Sequence, residues 1–412
     1  MTEQLFEKAL GVEAPWEVES VTFDPPAKTL TISISFASGT RFPSPEAEGL
    51  HPVHDTVTKR YRHLNFFQHE CILEVRSPRV RLPNGSVRLV EPPFAGRLSG
   101  FTLLFEALIM AVCREMTFAA AARLIGISEY QAKEICHSYV DGALAMADHS
   151  DVKNLAMDET SKAKGHDYVF IAADADTRRV LHVGEGKDAA AVAVFAEDFA
   201  AHQGDPEQIN AVSIDMSPAF IKGVGEHFPD AMITFDKFHV IAHASKAIDE
   251  TRRKEQRTTG GLKGMRWTLL KDRNSLSDDE KSELDALIAD VNISRTARAW
   301  TYREMLREIL QRKQPNVVRT ALLNWITCVN RSKVDAMKKV AKMVGSHLEG
   351  IVAWARTRIT NGFLEALNGV FQAAKRKARG FRSLRTIRTV IFMLAGKLDF
   401  SRLNPHIQRA PT

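Results

Sequence analysis

The chain has 412 residues, 44% of them hydrophobic and 26% charged, a composition ordinary for a soluble globular protein that excludes a low-complexity or fibrous chain. Its net charge of +6 is mildly basic and does not by itself choose a partner. Cys71, Cys113, Cys136 and Cys328 lie too far apart for a C-x-x-C pair, which argues against a disulfide framework and for a reducing compartment. The most apolar run, Phe101 to Cys113, is interrupted by Glu106 and is too short to span a bilayer, and the first residues lack the basic-then-apolar pattern of a signal peptide. A soluble, cytoplasmic protein of several domains, with no membrane association, is the expectation.

Residues 1–95 are strand-rich. Ser20–Phe23 and Thr29–Phe36 alternate apolar and polar residues around a turn at Asp24–Lys28, and Glu70–Val75 with Arg79–Arg81 reads as a second pair. Prolines punctuate the stretch, so a small β-ribbon module with a modest core is expected.

Residues 96–150 read as helices. Phe101–Met110 carries a helix-period apolar face, Thr117 can cap Phe118–Ile125, and Gly126 breaks that helix. Ser128 then caps a third helix, with Gln131 at the capping-box position. Helix, tight turn with glycine, helix is the helix-turn-helix pattern, whose second helix enters a major groove. Gln131 and Lys133 are the candidate base readers on it.

Residues 151–250 alternate strands and helices. Asn154–Met157, Tyr168–Ala173 and Arg179–Gly184 form an antiparallel meander with Asp158 closing the first apolar run. Ile209–Ile214 repeats the pattern and ends in Asp215, followed by a helix start at Ser217–Pro218; Ala231–Phe235 and a helix from Lys237 come next. Three antiparallel strands followed by βαβα is the layout of a ribonuclease-H-like α/β domain. Residues 251–345 carry no strand pattern and read as an all-helical insertion. Residues 346–412 return to the α/β domain: Glu365, Asn368, Gln372 and Arg376 share a polar helix face, and Leu364, Leu367 and Phe371 an apolar one. The basic run Lys375, Arg376, Lys377, Arg379 and Arg382 follows, with no Asp or Glu between Phe371 and Val390. Its lack of acids favours contacts to phosphates, which position a duplex without reading sequence. The fold class expected is thus multidomain α+β.

A single acidic residue at a strand end is more often a helix cap than a catalyst. The argument for Asp158, Asp215 and Glu365 is joint. Mg²⁺ takes oxygen ligands and keeps waters, so one or two carboxylates per ion suffice. Two ions roughly 3.5–4 Å apart can serve the attacking and leaving oxygens of a phosphoryl transfer.

The strings Met157–Glu159, Ser213–Pro218, Phe235–His239 and Asn361–Asn368, with Lys375–Arg382 after them and Tyr61–Asn65 before the helix-turn-helix, resemble the DDE transposases of bacterial insertion sequences, the ISL-three group above all. The resemblance runs in order along nearly the whole chain. It implies that Asp158, Asp215 and Glu365 are a catalytic, metal-binding triad for Mg²⁺ or Mn²⁺. It further implies binding to terminal inverted repeats and to target DNA, a homodimer or higher assembly on DNA, and a nucleoid-associated protein. The implied chemistry is a hydrolytic nick at the element end, then in-line attack by the freed 3′-hydroxyl, with no covalent protein intermediate. A catalytically silent DNA-binding protein on a transposase scaffold is the alternative, and a nuclease without strand transfer a third. The family's N-terminal module usually carries a zinc site built from two C-P-x-C-like knuckles. Here the matching strings are Ser44–Ala47 and Leu82–Gly85, without a sulfur or imidazole ligand, so no structural zinc is expected. Asp236 is expected to serve only as a helix N-terminal residue.

Overall fold

The computed structural model describes residues 2–98, 100–163, 167–271, 273–289 and 294–407. Residues 408–412, the tail of the expected last segment, lie outside them. The protein is mixed α+β, with two sheets and, among the described residues, fifteen α-helices. It divides into two compact units, Met1–Met146 with Lys377–Arg379 and Leu398–Thr412, and Ala147–Arg376 with Gly380–Lys397.

The first unit opens with helix α1 (Thr2–Leu10), which the sequence pattern did not announce. A six-stranded sheet follows: β1 (Glu17–Asp24), β2 (Thr29–Ser35), β3 (Arg41–Ser44), β4 (Ala47–Phe66), β5 (His69–Arg81) and β6 (Val87–Leu89). The β1–β2 hairpin forms as expected, with Asp24 opposite Thr29. The second pair is not. Glu70–Val75 and Arg79–Arg81 are one strand, β5, whose antiparallel partner is the long β4. Strand β4 buries only His51 and Tyr61 along its length, so it carries no apolar alternation to read. It is held by the backbone ladder to β5 and by cross-strand pairs such as Asp55 with Arg79. Pro78 sits inside β5 and keeps a useful acceptor, its carbonyl taking the Val90 N–H at 2.9 Å. The core is larger than a ribbon's. Trp16, Leu30, Ile32, Ile34, Phe36, Phe42, Tyr61, Leu73, Val75 and Val80 pack as one buried cluster. Arg88 on β6, just after the turn at 82–86, pairs its Nε at 2.7 Å with Glu46 in the turn at 44–47. His51 Nε2 faces the Ala47 carbonyl at 3.2 Å, and His54 Nδ1 pairs with Arg81.

Three helices complete this unit: α2 (Leu103–Glu115), α3 (Phe118–Ile125) and α4 (Glu129–Leu144). Thr102, Thr117 and Ser128 cap them with side-chain oxygens. Gly126 adopts φ 81°, a left-handed conformation that only glycine reaches without strain, and this turns α3 into α4. Buried Glu106 accepts the N–H groups of Arg97 and Leu98 and the Tyr139 hydroxyl, which fixes the entry to α2.

The second unit holds a five-stranded sheet in the order β11-β10-β7-β8-β9. Strands β7 (Asn154–Ala163), β8 (Asp167–Asp174) and β9 (Arg179–Glu185) form the antiparallel meander, and β10 (Ala211–Ile214) and β11 (Met232–Phe235) run parallel to β7. Helices α5 (Ala189–Ala201) and α6 (Pro218–His227) pack Val192, Phe195, Phe199, Phe220 and Val224 into the same core as Leu155, Met157, Val212 and Ile214. Helix α7 (Lys237–Thr259) follows β11, capped by Asp236. From α8 (Arg266–Leu270) through α9 (Asp278–Ala289), α10 (Arg295–Gln311), α11 (Pro315–Asn330), α12 (Asp335–Ser346) and α13 (Leu348–Thr357) the described residues hold no strand. Leu269, Trp300, Leu322, Trp325 and Val344 join the core of the sheet rather than a separate one. Helices α14 (Gly362–Lys377) and α15 (Leu384–Ala395) end the fold. Among the described residues, no helix is long and apolar enough to cross a membrane.

Candidate active site

Strands β7 and β10 pair in parallel with Ser213 opposite Ala156. Asp158 lies two residues past Ala156 on β7, and Asp215 two residues past Ser213, just beyond the end of β10. Alternation along β7 sends the Asp158 side chain to the face opposite Met157, which is in the core. The charge of Asp215 reaches Asp158. Burial pushes the Asp158 carboxyl up to about 6, and the charges of Asp215 and Glu159 add to the rise, against the Glu159 N–H bond and His239. Asp215 also starts α6, its Oδ1 accepting the Ser217 N–H at 2.9 Å. Glu159, on the same strand, is raised chiefly by burial, with Lys187 opposing.

Helix α14 lies along β7. Strand β10 pairs with β7 only through Ala156. From Met157 onward that edge of β7 is capped by side chains of α14 and of the residue before it. Asn361 Nδ2 donates to the Met157 carbonyl at 3.0 Å, and Asn368 Nδ2 to Asp158 Oδ2 at 3.0 Å. Gln372 Nε2 donates to the Ser161 carbonyl at 2.9 Å, and Lys375 Nζ to the same carbonyl at 2.7 Å. An edge that would otherwise expose unpaired carbonyls is thereby closed by a helix. Asp236, fully buried, ties the start of α14 to β11. It caps α7, as expected from the sequence, and also accepts the Asn361 N–H, which was not expected. Glu365 is exposed on α14, on the stripe between Asn361 and Asn368. Among the described residues, no three His, Cys, Asp or Glu side chains are arranged to hold a metal ion together.

Two histidines on α7 also belong to this neighbourhood. The charge of His239 acts on Asp158, and His243 is held below its ordinary value by burial and then by Lys246 and His239, with Asp215 opposing. His243, Asn361 and Asn368 were missed as site residues. The four-residue spacing of His239 and His243 on an amphipathic helix, and the seven-residue spacing of the two asparagines, were the available signals.

The residues expected to meet DNA differ in their freedom. Gln131 Oε1 accepts the Ser128 N–H at 3.0 Å and so serves the capping box of α4. Lys133 pairs with Glu129 at 2.5 Å. Tyr130 on the first turn of α4 is 71% exposed. In the basic run, Lys375 is spent on the carbonyls of Ser161 and Lys162, whereas Arg376, Lys377, Arg379 and Arg382 are exposed.

Residues 155–391 match the family model described as transposase, and that match defines the class of enzyme. Residues 90–140 match the helix-turn-helix domain of transposase family ISL3. This chain belongs to the ISL3 family of DDE transposases. It is similar to the transposase for insertion sequence element IS1001 of Bordetella parapertussis, 27% identical over 394 residues that cover 93% of this chain and 96% of the relative. It is also similar to the transposase for insertion sequence element IS1557 of Mycobacterium tuberculosis, 26% identical over 354 residues covering 79% of each. The chain is therefore a DNA transposase, an enzyme of DNA cleavage and transfer with a DNA-binding helix-turn-helix.

Proposed function

We propose that Asp158, Asp215 and Glu365 are the three carboxylates of this transposase and that they hold divalent cations, Mg²⁺ or Mn²⁺. The observation that carries the reading is the placement of Asp158 and Asp215, each two residues beyond the last paired position of the parallel strands β7 and β10, with the charge of Asp215 acting on Asp158. The donor set fits a hard cation. It is built of oxygens, Asp158 is desolvated beside a like charge, and the side-chain oxygens of Asn361 and Asn368 are buried without hydrogen-bond partners. Glu365 would complete the set from α14. When bound, the cations neutralise charge on the attacking and leaving oxygens of an in-line phosphoryl transfer. The protein's own part is to hold ionised carboxylates in a partly dry site. At neutral pH Asp158 is ionised despite its burial, its Oδ1 fixed by the Glu159 N–H at 2.8 Å.

The sheet order and strand directions support a ribonuclease-H-like catalytic domain formed by 151–250 and 346–412, with 251–345 as a helical insertion between the second and third carboxylates. Residues 1–95 and 96–150 would be the β module and the DNA-binding domain. The DNA partners are the terminal inverted repeats and the target, the first read through α4 and its Gln131, Lys133 and Tyr130. Two ends must be brought together, so the working form is a homodimer or higher assembly. The protein would act in the cytoplasm, on the nucleoid.

A strand-transfer assay with labelled element ends tests the site. Asp158→Asn, Asp215→Asn and Glu365→Gln should each abolish cleavage and joining while retaining binding to the ends. Cleavage at wild-type rate by the Glu365 variant would remove it from the triad. Cleavage without joining by the unaltered protein would make it a nuclease, and binding alone a silent DNA-binding protein.

A further inference from the structure

We propose that Asn368 is a positioning residue that orients the Asp158 carboxylate. This rests on the reading of Asp158 and Glu365 as metal-binding carboxylates. Asn368 Nδ2 faces two acceptors, Asp158 Oδ2 at 3.0 Å and the Glu159 carbonyl at 3.5 Å. Only the amide nitrogen can serve both, which assigns the side chain's orientation. The other oxygen of Asp158 takes the Glu159 N–H at 2.8 Å. Both oxygens are thus fixed, and the carboxylate plane is locked with its remaining lone pairs free for another partner. An oriented carboxylate loses less freedom on binding an ion, which is how outer hydrogen bonds tune metal sites.

The same bond sets the register of α14. Asn361, Asn368 and Gln372 fall on one stripe of the helix and its leading residue, and each donates to β7, at Met157, Asp158 and Thr160 with Ser161 respectively. Glu365 lies on this stripe, one turn from Asn361 and one from Asn368. Of the three amides, Asn368 alone in this ladder touches a carboxylate. Gln372 is its control, since it holds the same helix to the same strand without touching the aspartate.

The test compares Asn368→Ala, Asn368→Gln and Gln372→Ala in the full-length protein. Mn²⁺ binding is read from the paramagnetic resonance of the free ion, with and without duplex DNA carrying the element end, and cleavage is read separately. Asn368→Ala should weaken Mn²⁺ binding about 10- to 100-fold, with end binding retained. Asn368→Gln keeps an amide donor and should regain most of that loss, and Gln372→Ala should shift the titration less than about threefold. Equal weakening by Asn368→Ala and Gln372→Ala would reduce the ladder to simple attachment of α14 and overturn the proposal. So would an unshifted titration in Asn368→Ala, or a Gln variant as weak as Ala. Should the Ala variant fail to fold, the Gln variant decides alone: binding within threefold of wild type supports the proposal, and weaker binding overturns it. Full Mn²⁺ binding and cleavage by Asp158→Asn would instead refute the underlying site, independently of Asn368.

Discussion

Asp236 Oδ2 accepts the backbone N–H of Asn361 at 2.5 Å, while its Oδ1 accepts the Phe238 N–H at 2.8 Å. One buried side chain thus starts α7 and anchors the beginning of α14, 125 positions away in sequence. Asp236→Ala would leave one buried and one part-buried donor unsatisfied, a loss of about 2–4 kcal/mol. Denaturation by urea should show it, and cleavage should fall with it because α14 carries Glu365. An Ala variant within about 0.5 kcal/mol of wild type, the ordinary range for a surface change, would refute the clasp.

A second expectation concerns Asp158 in protein kept free of divalent ions by chelator. Its folded value, about 6, lies above the ordinary 3.8. The folded state therefore holds this proton more tightly than the unfolded state. The contribution favours folding at low pH and is lost as pH rises through about 6. At pH 8 the buried charge costs about 3 kcal/mol, which Asp158→Asn removes. In chelator the Asn variant should melt above wild type at pH 8, and the gap should close below pH 4. A gap independent of pH would show that Asp158 is better solvated than its burial indicates.

These two aspartates mark what the sequence carried and what it did not. Asp158 and Asp215 stood out because each ends an apolar run long enough to be a strand, and β7 and β10 do run parallel. Asp236 was read only as a cap, because its second partner, Asn361, is remote and binds through a backbone N–H that no side-chain pattern announces. Asn368 sat in plain view on a polar helix face, yet its acceptor lies 210 positions earlier. Strand β4 went unread for a different reason: it is held by a backbone ladder and buries two side chains. Gln131 was seen both as a capping residue and as a base reader, and one of its two polar atoms is committed to the cap.

Glu255 provides an acid-labile contact within the helical segment. From α7 it accepts the N–H groups of Arg295 and Thr296 at 2.7 Å and the Ser294 hydroxyl at 3.1 Å, at the start of α10. Burial alone would raise its carboxyl, but these hydrogen bonds more than offset that and leave it below the ordinary value. A depressed folded value means stability that is present above the unfolded value near 4.3 and lost as pH falls through the folded one. Glu255→Gln should therefore cost about 1–2 kcal/mol at pH 7 and progressively less below pH 4.5. Urea midpoints taken across this range check it, and a cost that grows toward acid would contradict the assignment.

The basic run should separate into two kinds of residue. Arg376, Lys377 and Arg379 are exposed, and no acid is near them in sequence. Lys375 differs. Burial and the charge of Arg376 depress its ammonium, which is committed to the carbonyls of Ser161 and Lys162. Phosphate contacts reveal themselves through counterion release, with a slope of log affinity on log salt of about 0.9 for each contact. Replacing Arg376, Lys377 and Arg379 together with Ala should flatten that slope by up to about 2.7, and should weaken element ends and random duplex alike. Lys375→Ala should leave the slope within about one contact of wild type and lower the melting temperature instead, because it uncovers the edge of β7. Fluorescence anisotropy across roughly 50–200 mM salt measures both. A Lys375 variant that flattens the slope as much as the triple change would mean that this ammonium leaves its carbonyls when DNA binds. A triple variant with an unchanged slope would remove the run from the DNA interface altogether.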